Sequence, residues 1–223
     1  DRILQMLTVK EGNLLVEEKG IYSIEKFIIA RRLMYWQVYL HKTVLAAEKL
    51  LINILKRAKE LADKGIELFA TPSFKFFLYE QLTVSDFENN PDILSKFCNI
   101  DDNDIICSIK EWTLHKDDIL AKLCSSFIFR NLYKVTLSYE DNTALYEEKK
   151  ELGFKTGLLN EENLDYYLLK GISSNNTYKT DGDNIKIAMK DGRVLDISAV
   201  TNSLIDKGVA VEVVKYFVAM IPN

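Results

Sequence analysis

Glycine and proline are scarce in this chain, nine and three in 223 residues, and neither occurs between Ile21 and Lys64. Nothing in that stretch therefore obliges a helix to stop. Histidine is rarer still. His41 and His115 are the only two, and they fall in separate helical segments without partners at ligand spacing, which argues against a zinc or di-metal hydrolase built from this chain alone. His115-Lys116-Asp117-Asp118 reads as a surface capping turn rather than a metal site. There is no glycine-rich phosphate loop and no nucleophile elbow. Cys98, Cys107 and Cys124 are odd in number and lack CxxC spacing, which suits buried thiols in a reduced cytoplasm and neither disulfides nor zinc. The apolar runs are short and interrupted by charge, so no membrane span is expected. A net charge of −4 argues against nucleic acid as a bulk partner while leaving room for a local basic pocket.

The stretch Ile21–Lys64 is what the rest of the chain is organised around. Phe27, Met34, Val38 and Leu45 fall on one face of a helix at about 100° per residue. Arg31 lies in the middle of that face, and Tyr35, Tyr39 and Lys42 follow along it. A guanidinium aimed into a buried stripe costs several kcal/mol unless an anion meets it. Two partners satisfy that condition: a carboxylate elsewhere in the chain, or a phosphate held by Arg31 and Lys42 with the tyrosines lining the pocket. Composition does not choose between them.

Residues 1–8 read as a helix end, followed by a Glu11-Gly12-Asn13 turn and a strand over Asn13 to Glu17. Thr71-Pro72 marks a loop before a short helix from Ser73 to Leu82. Thr83 to Asp86 reads as a cap for a helix around Phe87. Helices follow at 91–98, with proline in the first turn, at 103–114, and from Ile119 to Phe129 capped by Asp117 or Asp118. A strand over Leu132 to Tyr139 and a helix over Ala144 to Leu152 come next. Ser173 to Asn176 and Asp181 to Asn184 read as polar loops. Ile185 to Met189 and Arg193 to Ile197 form a hairpin about Asp191-Gly192. A short helix at 198–206 and a strand at 209–220 close the chain. The expected class is α+β: a mostly helical part over 1–130 and a small α+β lobe over 131–223.

Several of these segments resemble one family. Ser23-Ile24-Glu25-Lys26-Phe27, Ala30-Arg31, Met34-Tyr35 and Val38-Tyr39-Leu40-His41-Lys42 are similar to the region downstream of the metal site in HD-domain phosphohydrolases, in the deoxynucleoside triphosphate triphosphohydrolase branch. Phe129-Arg130-Asn131-Leu132-Tyr133-Lys134 resembles a second signature of that branch, and Asn184 to Asp196 with its closing strand resembles its C-terminal lobe. The family's H…HD…D element, which holds a divalent metal that activates water, is absent from this sequence. The resemblance thus implies the C-terminal part of a longer protein, with the metal ligands outside this chain and none bound by it. The start at Asp1 rather than Met fits that expectation.

The resemblance also assigns roles. Arg31 matches the arginine that contacts the substrate triphosphate, and Tyr39 the tyrosine that packs beside the deoxyribose, with Tyr35 between them on the same face. Arg2, Lys19, His41, Lys42, Arg130 and Lys190 match positions around an activating nucleotide at a subunit interface. Glu17 departs from the pattern, standing where a regulated member carries a basic residue. The implied partners are nucleoside triphosphates and further copies of the chain in a homo-oligomer, and the implied location is cytoplasmic. A non-catalytic nucleotide-binding or oligomerisation module is the alternative.

Overall fold

The computed structural model describes residues 2–175, 184–200 and 213–222. In chain order the elements are strands β1 (Leu7–Lys10) and β2 (Asn13–Glu17), then helices α1 (Ile21–Met34) and α2 (Lys42–Asp63) with a π-helical turn Tyr35–Tyr39 between them. Five shorter helices follow: α3 (Pro72–Tyr79), α4 (Val84–Asn89), α5 (Pro91–Cys98), α6 (Asp102–Trp112) and α7 (Asp118–Ile128). The remainder comprises β3 (Lys134–Ser138), α8 (Thr143–Lys155), α9 (Leu164–Tyr167), β4 (Leu168–Asn175), β5 (Lys186–Ala188), β6 (Val194–Asp196) and β7 (Val213–Met220). The fold is α+β.

The chain forms two compact units that are interleaved in sequence and do not follow a division at residue 130. One contains Asp1–His41, Ser138–Asp141 and Gly171–Tyr216, the other Lys42–Leu137, Asn142–Lys170 and Phe217–Asn223. The cause is strand pairing. β5 lies parallel to β2, with Val16 opposite Ile187, which draws a segment from the end of the chain onto its beginning. This first sheet has the order β1-β2-β5-β6, and a second has the order β3-β7-β4. β1 and β2 pair antiparallel around Glu11-Gly12, whose φ values of 53° and 74° match a two-residue type I′ turn. The expected β5–β6 hairpin is present, with Ile187 opposite Leu195.

In the first unit the core is Val16, Ile187 and Ile197 covered by Ile21, Ile24 and Ile28 of α1. This corrects the expected buried stripe. Phe27, Met34 and Val38 are 57%, 49% and 47% exposed, and Arg31 is exposed with them. Both sides of α1 carry apolar residues, so periodicity alone does not reveal which side the sheet covers. The uninterrupted helix is corrected too. The amide of Leu40 bonds the carbonyl of Tyr35, five residues back, and that of His41 bonds Val38, so the helix ends before α2 begins. Tyr35, Trp36, Val38 and Tyr39 are bulky residues of weak helix propensity, which is where such a break is cheapest. Residues 4–6 form one 3₁₀ turn before β1 in place of the expected helix end.

The second unit is built on α2. Leu50, Ile54, Ala58 and Leu61 recur along one face of it and pack with Ile109 and Trp112 of α6, Leu120 and Leu123 of α7, and Phe217 to Ala219 of β7. Local chemistry places the short helices where the sequence predicts them. Thr83 with Asp86, and Asp101 with Asp104, form capping boxes, Asn90 precedes Pro91 as N-cap, and the Asp117 carboxylate accepts the Leu120 amide at 2.8 Å. The loop expected from Ser173 is strand β4 through Asn175. Residues 176 and 181–183 of the expected loops lie outside the described residues. So do most of the expected helix at 198–206, where a 3₁₀ turn Ile197–Ala199 is found, and the first residues of the closing strand. Of the three thiols expected to be buried, only Cys124 is, and its burial pushes it up to about 12; Cys98 and Cys107 are exposed.

Gly153 sits inside α8, where alanine would ordinarily stabilise by about 1 kcal/mol. A Cβ there would run into the Leu159 side chain and approach Met220 Cε at 3.2 Å. The contact outweighs the propensity: Gly153→Ala should lower the melting temperature, whereas Gly157→Ala, with open space but φ +74°, should cost only its backbone strain.

Candidate functional site

In the second unit, the start of α2 and the segment after α7 enclose a cleft of about 350 Å³, lined by Lys42, Thr43, Ala46 and residues 130–135. α7 ends on Phe129, and Arg130 turns the chain out of the helix with φ +58°, a left-handed conformation that glycine or asparagine usually supplies. Tyr133 anchors the segment. Its buried hydroxyl accepts from Asn53 Nδ2 at 3.0 Å and donates to the Tyr166 carbonyl at 2.5 Å, and burial pushes its pKa well up. The anchor fixes the chain on either side, so Arg130 and Lys134 both line the cleft with Lys42 at the first turn of α2. Among the described residues no carboxylate lines it, and none of the three cations lies within 4 Å of one. Three cations facing one cavity repel each other until an anion arrives.

Lys42 and Arg130, both expected around an activating nucleotide, line the same cleft. Lys134 was not singled out, although it stands in the same Arg-Asn-Leu-Tyr-Lys stretch. The other expected cations belong to the first unit. Lys19 is exposed and pairs with Glu17 at 2.6 Å, so the acidic residue that departs from the family pattern is the one that engages it. Lys190 is exposed next to the β5–β6 turn, and its backbone amide donates to Glu18 Oε2 at 2.7 Å. Arg2 is exposed, as is His41 at the junction between the π turn and α2.

Arg31, Tyr35 and Tyr39 do come together, as a ladder on the exposed side of the first unit. The Arg31 guanidinium lies 5.4 Å from the Tyr35 ring centre, and the Tyr35 and Tyr39 rings are 5.0 Å apart, tilted by 55°. A cation stacked on one ring with a second ring beyond it offers a charged end and a flat apolar one.

Among the described residues no three His, Cys, Asp or Glu side chains converge as a metal site. The described residues offer no site for the divalent metal that the resemblance implies. His115 caps the turn before α7: its Nδ1 accepts the Asp117 amide at 3.0 Å.

A second polar cluster escaped the sequence reading altogether. Arg57 Nε and Nη2 donate to Asp117 Oδ1 and Oδ2 at 3.1 and 2.6 Å, and Nη1 reaches Glu60 at 3.4 Å. Tyr166 donates its hydroxyl to Glu60 and lies 5.5 Å under the guanidinium. Burial pushes the Asp117 carboxyl up, but the Arg57 hydrogen bonds and the Leu120 amide outweigh it and hold it below the usual carboxylate range. Burial, then the Glu60 hydrogen bond, pushes Tyr166 up to about 12. A carboxylate whose pKa is lower folded than unfolded stabilises the fold above the unfolded value of about 3.9, and loses that contribution as pH falls through the folded value. Unfolding free energy should therefore drop below about pH 4, with a shallower drop in Asp117→Asn, as read from urea titrations at stepped pH.

Residues 1–70 match the family described as the HD associated region. The chain is 31% identical over 182 residues to the uncharacterized protein YwfO of Bacillus subtilis (strain 168), covering 80% of this chain and 38% of that protein. It is 31% identical over 160 residues to the uncharacterized protein MJ1154 of Methanocaldococcus jannaschii, covering 66% and 31%. Among solved structures it superposes on a phosphohydrolase, BT4208, from Bacteroides thetaiotaomicron VPI-5482 with a TM-score of 0.84 and 40% identity, over 98% of this chain and 55% of that one. A hypothetical protein from Aquifex aeolicus, at 19% identity and a TM-score of 0.54, shares the fold. The chain spans less than two fifths of the curated relatives and about half of the structural ones. The matches thus show an HD associated region over residues 1–70 and a likeness in sequence and fold to a solved phosphohydrolase.

Proposed function

We propose that this chain is part of an HD-superfamily phosphohydrolase that hydrolyses (deoxy)nucleoside triphosphates, and that it supplies nucleotide contacts rather than the reacting groups. The observation that carries the reading is the cleft in which Lys42, Arg130 and Lys134 line one cavity with no carboxylate beside them among the described residues. A phosphate chain is the anion that best suits one planar guanidinium and two ammonium groups. In this reading the cleft takes the phosphates of a regulatory nucleotide, with Arg2, Lys19, His41 and Lys190 as further contacts in a homo-oligomer. Arg31 would hold the substrate phosphates while Tyr35 and Tyr39 pack against the sugar. A divalent metal bound by residues outside this chain would supply the activated water.

The test is hydrolysis of the four dNTPs by the full-length polypeptide, with each of several divalent metals. Arg31→Ala is expected to lower kcat/KM about 10- to 100-fold, the loss of one charge-assisted contact. Turnover that is unaffected by Arg31→Ala would overturn the substrate assignment. The alternative, a non-catalytic nucleotide-binding or oligomerisation module in a cytoplasmic assembly, is favoured by the same cleft if nucleotides bind and no metal yields turnover.

A further inference from the structure

Far along the sequence from the nucleotide cleft, α3, α4 and α5 carry four phenylalanines in mutual contact. Phe77 meets Phe76, Phe87 and Phe97 at ring-centre distances of 5.2, 6.0 and 5.8 Å, and Phe87 lies 6.1 Å from Phe97. The cluster is not sealed. Phe97 is 57% exposed, and Leu94 one turn before it and Val84 at the head of α4 are 53% and 76% exposed. Isolated surface hydrophobics are ordinary, but exposed apolar side chains gathered on two helices that pack on each other, beside an unsealed ring cluster, are what a docking surface requires. The charges on and beside these helices are mainly acidic: Asp86, Glu88, Asp92, Asp101 and Asp102 stand against Lys75 of α3 and Lys96 of α5. The capping hydrogen bonds from Thr83 hold Asp86 below the usual carboxylate range, so that carboxylate stays charged.

We propose that this surface docks a basic amphipathic helix of another polypeptide, its apolar side on Phe97, Leu94 and Val84 and its lysines or arginines against these carboxylates. Charge sign selects this occupant. The phosphates of nucleic acid and the headgroups of an anionic membrane are repelled by the same carboxylates that attract lysine. The chain already shows the aromatic half of the recognition, because Lys96 Nζ sits 4.6 Å over the Phe76 ring. An apolar ridge with i, i+3, i+4 spacing seated on a groove between short helices is a recurrent binding mode.

The experiment titrates the full-length polypeptide with a fluorescent helical peptide of leucines at i, i+3, i+4 and i+7 and lysines elsewhere. The same peptide with glutamate in place of lysine is the control. The lysine peptide should bind, weaken with added salt, and lose about 10-fold or more in affinity on Phe97→Ala or Leu94→Ser. Leu94 is outside the ring contacts, so its variant reports on the surface even if Phe97→Ala loosens the cluster. Equal binding of the glutamate peptide, absence of binding, or affinity unchanged in both variants overturns the proposal. None of these outcomes bears on dNTP hydrolysis.

Discussion

Replacing Arg57 by alanine is expected to destabilise the second unit by about 3 kcal/mol, which for a domain of this size corresponds to roughly 6–12 °C in melting temperature. The reason lies in what is left behind. The side chains of Arg57 and Asp117 are only 15% and 17% exposed, so removing the cation leaves a carboxylate in partial burial with neither of its two donors from Arg57. Glu60 loses its contact and the Tyr166 ring its cation in the same step. Asp117→Asn should cost less, because an amide oxygen still accepts from Leu120 and keeps the cap on α7. The double variant should cost less than the sum of the two singles, since the second change removes the charge that the first stranded. Additive losses in urea unfolding would show that the two residues act separately.

That network illustrates what was and was not legible beforehand. Helix starts could be read one by one, because Thr83, Asn90, Asp101 and Asp117 act on amides two or three residues away, and a local cause leaves a local mark. The Asp191-Gly192 hairpin was readable for the same reason. The pairing of Arg57 with Asp117, sixty residues apart, leaves no such mark: an arginine at the polar margin of an amphipathic helix looks like any solvated charge. The buried side of α1 was misread because apolar residues occupy both sides, and only the parallel contact of β2 with β5 decides which is covered. The cleft falls between these cases. Lys42 is singled out by the helical face and again by resemblance, and Arg130 by resemblance alone, whereas the left-handed φ of Arg130 and the anchoring of Tyr133, which bring Lys134 to the same wall, are consequences of the tertiary fold.

The left-handed φ makes Arg130 the most informative residue to change. Tripolyphosphate, used as a probe without base or sugar, is expected to bind the full-length polypeptide, and Lys42→Ala or Arg130→Ala to weaken it about 10- to 100-fold each. Arg130→Lys should recover only part of the loss, because an ammonium cannot meet two phosphate oxygens with the fixed fork of a guanidinium. Arg130→Gly separates function from stability. It removes the charge but suits φ +58° better than any side chain, so affinity should fall as in the alanine variant while the melting temperature stays level or rises. A non-glycine residue in that conformation costs about 1 kcal/mol and persists only where something else favours it; under the proposed function, the gain from holding an anion in this cleft would be that something. If Arg130→Gly bound tripolyphosphate as tightly as the parent, the strain would have another cause and the cleft would lose its principal ligand. If Arg130→Gly instead unfolded at lower temperature, the guanidinium would be holding the fold together rather than waiting for phosphate.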